Sequence, residues 1–265
     1  EIVLEPWWGR SETSYAIDAS KPPFDDVKVR LALNYAIDRD TISKTLLKGL
    51  LAPANSVLPP GFPGYQESIG EYDFDPEKAK RLLSESIYGA NMDDFPDITL
   101  SLPGSFGSSI SSSTEAILAM WQENLGIEVD VLQTEWATYL QDQRNGRFQM
   151  FGGAGWVADY PDAQNFLDLL FFTGGSNNQS RYSNLDVDQI LVRARTERDV
   201  DIRHQLYQQA EELIHPGEDV LCVRAGVLDD RMDEFLHVAV GNPHHLFDVV
   251  VDVAGVTRRA ADTEN

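Results

Sequence analysis

Apolar residues recur at helical spacing from Val27 to Ile37, where Val27, Leu31, Ala32 and Tyr35 share one face. The preceding KPPFDD forbids helix through Lys21-Pro22-Pro23 and offers Asp25 as a cap for the helix that begins there. Asp38 to Asp40 restart a cap for a shorter helix through Leu50. LAPANSVLPPGFPGYQ, Leu51 to Gln66, is too rich in proline and glycine for a regular element and predicts an ordered or extended loop. DPEKAKRLLSES, from Asp75, opens a helix with Asp at the N-cap and Pro at the first helical position. Residues 1–20 alternate loosely and predict extended chain.

The middle of the chain carries the fold signal. DITLSLPG reads as a strand, Ser109 to Leu125 as an amphipathic helix, GIEVDVLQ as a strand, EWATYLQDQRNG as a helix and FQMFGGAG as a strand. This β-α-β-α-β order predicts an α/β fold whose sheet is parallel with right-handed crossovers. Ligands of such sheets bind beyond the carboxyl ends of the strands. GWVADYPD, Gly155 to Asp162, sits at one such end. Helical patterns continue at 162–172, 185–197 and 200–214, then comes an apolar run from Val220 to Leu228. The tail from Ala254 reads as frayed. There is no internal repeat, and the one low-complexity patch is GSFGSSISSS, Gly104 to Ser113.

At 265 residues the chain suits one large α/β domain or two small ones. Its formal net charge of -22 argues against nucleic acid and against an anionic membrane surface, both of which it would repel. That charge suits a cationic ligand, although a solvated acidic surface is the commoner cause. Cys222 is the single cysteine, which excludes an internal disulfide and any multi-cysteine metal site. Its apolar surroundings, DVLCVRAGV, predict a buried, inert thiol. No run approaches the length of an apolar membrane span, and no signal-like segment opens the chain. The opening EIVLEPWW lacks an initiator Met and reads as a processed or truncated product.

GWVADYPD is the densest candidate site. Asp162 precedes a helix and can cap it, with Pro161 setting the turn. Asp159 is one turn too early to cap. A carboxylate flanked by Trp156 and Tyr160 suits an ammonium group, through a charge-assisted hydrogen bond and cation–π attraction. The plainer reading is a solvated loop acid with the aromatics in the core. Trp136 opens a helix just after a strand end, where it can line a pocket or simply pack. Trp121, in ILAMWQENLG, reads as core. The Gly/Ser loop before residue 109 lacks the lysine of a phosphate-binding loop and reads as a flexible connection. His204, His215, His237, His244 and His245 form no metal-binding spacing. No nucleophile–base set is visible, so no catalytic residue, metal or cofactor is assigned.

Several stretches, taken in order, carry a family resemblance. They are KPPFDDVKVRLALNYAIDRDTI, LPPGFPGYQ, YDFDPEKAKRLLSES, AMWQENLGIEVDVLQTEWATYLQD, GWVADYPDAQNFLDLLF and YSNLDVDQILVRARTERDVDIRHQLYQQAEELI. From about Val3 to Ile214 the chain resembles the C-terminal half of the family 5 extracellular solute-binding proteins, the dipeptide and oligopeptide receptors of ABC importers. The resemblance implies one lobe of a type II periplasmic-binding-protein-like fold, with a central mostly parallel sheet and helices on both faces. It implies a lobe over 1–245, a return segment and tail over 246–265, and an N-terminal lobe missing from this chain. It implies an extracytoplasmic location, tethered or free, and an oligopeptide or other small solute as ligand. A membrane permease is the implied partner.

In peptide-binding members the acid of GW-x-x-D holds the ligand's α-ammonium group, a role that falls here to Asp159. The corresponding pocket tryptophans are Trp156 and Trp136. Many members also carry an arginine shortly before the GW pair, where this chain has GGAG. The end, HPGEDVLCVRAG, also departs from the family's proline-rich strand. The alternatives are a non-peptide solute such as a sugar or metal chelate, and a non-catalytic one-lobed sensor or interaction module.

Overall fold

A computed structural model of the chain describes residues 11–48, 51–52, 56–67, 69, 72–105, 108–152, 156–214, 223–225 and 227–228. All fall within Glu1–Leu228, one of the two units into which the chain divides. The frayed-tail reading, the 246–265 segment, Cys222 and the four histidines beyond His204 lie outside the described residues.

Local chemistry sets most element ends. Helix α1 (Val27–Tyr35) starts one residue later than the Asp25 cap predicts. Asp26 is the N-cap, accepting from Lys28 N at 2.7 Å and, through its other oxygen, from Ile87 N. Asp25 instead accepts a hydrogen bond from Tyr88 Oη at 2.6 Å. Asp38 does cap the next element, α2 (Arg39–Thr41), which passes into one π-helical stretch, Ile42–Leu46, and ends there rather than at Leu50. Helix α3 (Pro76–Ser84) begins as predicted, with Asp75 accepting from Lys78 N at 2.8 Å. The loop 56–67 contains no helix or strand.

The predicted β-α-β-α-β run is present as β3 (Ile98–Pro103), α4 (Ser112–Leu125), β4 (Val129–Thr134), α5 (Trp136–Arg144) and β5 (Met150–Phe151). Gly126 takes the left-handed conformation that closes α4, with φ 70°. Strand β3 runs parallel to β4 and to β5, so the carboxyl ends of all three lie on one edge. The sheet is nevertheless mixed. Strand β1 (Ser11–Ile17) runs antiparallel to β5, to β6 (Trp156–Val157) and to β7 (Val223–Ala225). The strand order is β4-β3-β5-β1-β6, with β7 on β1, and a separate pair joins β2 (Leu51–Ala52) to β8 (Val227–Leu228). Helices cover both faces.

The register along β1 bears on the site. Ala16 pairs with Phe151 and Glu12 with Trp156. Across that interval β1 advances four residues and its partner five.

Two cores result. One is built on the sheet with α1, α3 and α4, and contains Leu33, Leu100, Ile117 and Met150. Trp121 is fully buried there, as its helical spacing predicts, and donates to Leu33 O at 2.9 Å. The other is built from α6 (Gln164–Phe171), α7 (Leu185–Thr196), α8 (Val200–Ile214) and the loop residues Val57, Leu58 and Phe62. Trp156 packs against this second core.

Candidate functional site

Gly152 follows β5 at the parallel edge of the sheet, and Trp156 opens β6. Gly152 is required by close approach, since a methyl group there would overlap the ring of Tyr15. Gly155 lies outside the described residues.

Trp156 is half-buried, and its indole Nε1–H donates to Asn165 Oδ1 at 2.9 Å. The same oxygen accepts the backbone N–H of Asp159 at 3.3 Å. Tyr160 Oη donates to Gln164 Oε1 at 3.1 Å. Three predicted site residues, Trp156, Asp159 and Tyr160, are thus tied to the first two residues of α6. Asp159 and Tyr160 are exposed. The indole N–H points inward, so Trp156 offers outside atoms its ring rather than a donor.

Asp162 accepts from Gln164 N at 3.0 Å in the turn before α6, whose N-cap is Ala163 rather than the predicted Asp162, and Arg203 Nη2 lies 3.0 Å from its other oxygen. Asp168 is 4% exposed and meets Arg195 through two hydrogen bonds, 2.6 Å from Nε and 2.7 Å from Nη2. That pairing raises the Arg195 pKa further above its ordinary value, and Arg195 also lies 4.1 Å over the ring of Phe172. Burial pushes the Tyr207 hydroxyl pKa well above the usual tyrosine range, and Asp162 and Asp168 add to the rise. These acids therefore act on the frame of the site.

Trp136 is held from a different element. It is 44% exposed at the start of α5 and stacks on Tyr139, with centroids 5.9 Å apart and planes 8° from parallel. Tyr139 is buried, and its Oη donates to Gly152 O at 2.9 Å. Burial raises the Tyr139 pKa, so the hydroxyl stays a donor across ordinary pH. Trp136 is therefore positioned relative to the carboxyl end of β5, as its place after β4 predicts. Arg147 is occupied by Asp142 at 2.6 Å.

Two residues that no sequence motif marks complete the frame. Asn165 is 0% exposed, and its one signal is a polar residue on the buried face of QNFLDLLF, which it shares with Asp168. Glu211, also 0% exposed, accepts from Ser56 Oγ and Val57 N at 2.6 Å and from Leu58 N at 3.0 Å. It docks the LPPGFPG loop onto α8. An acid on the buried side of LYQQAEELI is the only signal of it. Among the described residues no cluster of three or more His, Cys, Asp or Glu could hold a metal ion, and no helix is long and apolar enough to cross a membrane.

A model of the bacterial extracellular solute-binding proteins, family 5 Middle, matches residues 8–178. Heme-binding protein A of Haemophilus influenzae is 35% identical over 206 residues, 76% of this chain and 36% of that protein. The dipeptide-binding protein of Escherichia coli is 29% identical over 243 residues, 89% of this chain and 44% of that protein. The solved murein tripeptide binding protein MppA of Escherichia coli superposes with a TM-score of 0.70 at 28% identity, covering 83% of this chain and 43% of MppA. This chain thus spans well under half the length of each. The mixed sheet, the strand-end site and the family match over more than half of the chain agree: it belongs to the bacterial extracellular solute-binding proteins, family 5.

Proposed function

We propose that the chain is the ligand-contacting part of an extracytoplasmic receptor that captures peptides for the permease of an ABC importer. The observation that carries this reading is the state of Asp159. Its neighbours Asp162 and Asp168 are committed to Arg203 and Arg195. Asp159 is exposed, and among the described residues no hydrogen bond or ion pair occupies its carboxylate. An uncommitted acid beside a fixed indole ring and a tethered tyrosine is suited to a primary ammonium group.

In this reading the peptide's α-ammonium meets Asp159, while Trp156, Tyr160 and Trp136 line side-chain space. A second lobe closing over the ligand would complete its burial. The relatives named for dipeptide and murein tripeptide binding support the class of ligand.

The test is a titration of the chain carrying isotope-labelled tryptophan, followed by nuclear magnetic resonance at the Trp156 indole. The signal is assigned with Trp156→Phe. A free tripeptide is expected to shift it, and the N-acetylated form to bind about tenfold or more weakly. Asp159→Asn is expected to remove about 2–4 kcal/mol from the free peptide and little from the acetylated one. Equal affinity for both peptides in the unmutated chain would overturn the ammonium reading. The likeness to heme-binding protein A favours a second reading, a non-peptide solute. A Trp156 response to heme with none to either peptide would select it.

A further inference from the structure

We propose that Asn165 is a positioning residue of this site, holding the Trp156 ring and the Asp159 backbone in one geometry so that ring and carboxylate act on a single ligand group. The inference rests on the ammonium reading for its ligand consequences. Its structural part stands independently of that reading.

Asn165 Oδ1 accepts two convergent donors, Trp156 Nε1–H at 2.9 Å and Asp159 N–H at 3.3 Å. Among the described residues its Nδ2 group is buried without a hydrogen-bond partner. A buried amide normally satisfies both ends, because an orphaned donor forfeits its hydration. Rotating the amide by half a turn would gain nothing, since it would set an NH2 group against two N–H donors. The orientation is therefore unique, and it leaves a donor unpaired in return for holding two atoms of the candidate site. Local sacrifice of this kind is expected where geometry serves function.

The placement fits the role. Asn165 lies in the first turn of α6, next to Gln164, which holds Tyr160. Asp162 accepts from Gln164 N and is paired with Arg203 of α8, so this turn is anchored to a second helix. A side chain fixed on a helix holds a turn more firmly than the turn can hold itself.

The consequence is a coupling that Asp159 alone would lack. With Asn165 replaced, the indole can rotate and the Asp159 backbone is released, so the ligand loses a fixed angle between carboxylate and ring. Binding of a free amino terminus should fall although both Asp159 and Trp156 remain.

The experiment uses the same labelled chain with Asn165→Ala and Asn165→Asp. Without ligand, the Trp156 indole N–H of the unmutated chain should exchange with solvent at least about tenfold more slowly than a solvated indole. Asn165→Ala should abolish that protection and weaken free tripeptide binding about tenfold or more, leaving the N-acetylated tripeptide unchanged. Asn165→Asp keeps an oxygen acceptor for both donors and should retain the protection. If Trp156 exchanges freely in the unmutated chain, the hydrogen bond does not persist and the proposal is overturned, even if Asn165→Ala fails to fold. If Asn165→Ala binds free tripeptide like the unmutated chain while Asp159→Asn does not, the positioning role falls and the ammonium reading survives. If neither peptide is discriminated but Trp156 protection depends on Asn165, the ammonium reading falls and the structural role stands.

Discussion

The sheet-centred core and the helical core beneath the site differ in the polar groups they bury. In the first, Leu33, Leu100, Ile117 and Met150 pack around β3 and β5, and the buried polar ties run mostly to backbone carbonyls: Trp121 Nε1 to Leu33 O, Arg30 Nη1 to Phe24 O and Asn34 Nδ2 to Arg30 O. In the second, apolar packing is threaded by buried polar groups: Asn165, Asp168, Asn178 and Glu211. Asn178 alone receives Tyr182 N at 3.1 Å and donates to Phe172 O at 3.0 Å and Tyr182 O at 2.8 Å. Apolar burial is non-directional and stabilises many arrangements about equally. Buried hydrogen bonds are directional and penalise every arrangement that leaves them unmade. Both cores carry such bonds; those of the second include the buried carboxylates of Asp168 and Glu211 and the Asn165 amide that meets Trp156 and Asp159.

Mutations put this difference to the test. Trp121→Ala should remove about 3–5 kcal/mol of stability, as expected for a large buried aromatic. Glu211→Ala should lose a similar amount, about 3–4 kcal/mol, by leaving Ser56, Val57 and Leu58 donors without an acceptor. Urea unfolding measures both. Glu211→Gln is more discriminating: it keeps the shape and one acceptor oxygen, and should lose about 1–2 kcal/mol because the charge-assisted bonds become neutral ones. If Glu211→Gln and Glu211→Ala prove equally mild, the second core is held by apolar packing after all.

Arg195→Ala should cost about 2–3 kcal/mol, since it strands the buried Asp168 carboxylate. Asp168→Asn should partly rescue that variant, because a neutral amide is easier to bury than an unpaired charge; thermal unfolding of the pair tests the order. Gly152→Ala should cost about 1–3 kcal/mol through overlap with Tyr15, and it should also disturb the Trp136 ring through Tyr139, which bonds Gly152 O. Lys44→Ala anchors the small end. Its pair with Asp40 is exposed at both ends, and its loss should change stability by less than about 0.5 kcal/mol.

The elements of the first core were readable because their signals are local. Asp75-Pro76 opens α3 where the capping rule puts it, and the β3–β5 run follows from alternating periods of two and 3.6 residues. The Asp25 cap missed by one residue because both acids of Asp25-Asp26 can cap, and contacts from Tyr88 and Ile87, far along the chain, divided the roles. The mixed sheet was not readable: β1 pairs with β5 and β6, more than a hundred residues away, and nothing local marks that direction. At the site, Asp159 and its aromatic neighbours stood out as a contiguous motif, whereas the N-cap of α6 fell on Ala163, one residue after the expected Asp162. Asn165 and Glu211 did not, because their partners Trp156 and Ser56 reach them through space.

The helices, the β-α-β-α-β order, the acidic character, the likeness to family 5 receptors and the motif that carries the candidate site are all written in the order of residues. Each depends on residues close together in the chain, where spacing and side-chain chemistry act directly on the local backbone. Folding settled the rest: which acids are consumed by the frame and which is left exposed, where the Trp156 indole finds its acceptor, and how the site is braced. Those outcomes depend on strand register and on buried hydrogen bonds between distant segments, which acquire their energy only once the chain has folded and excluded water around them.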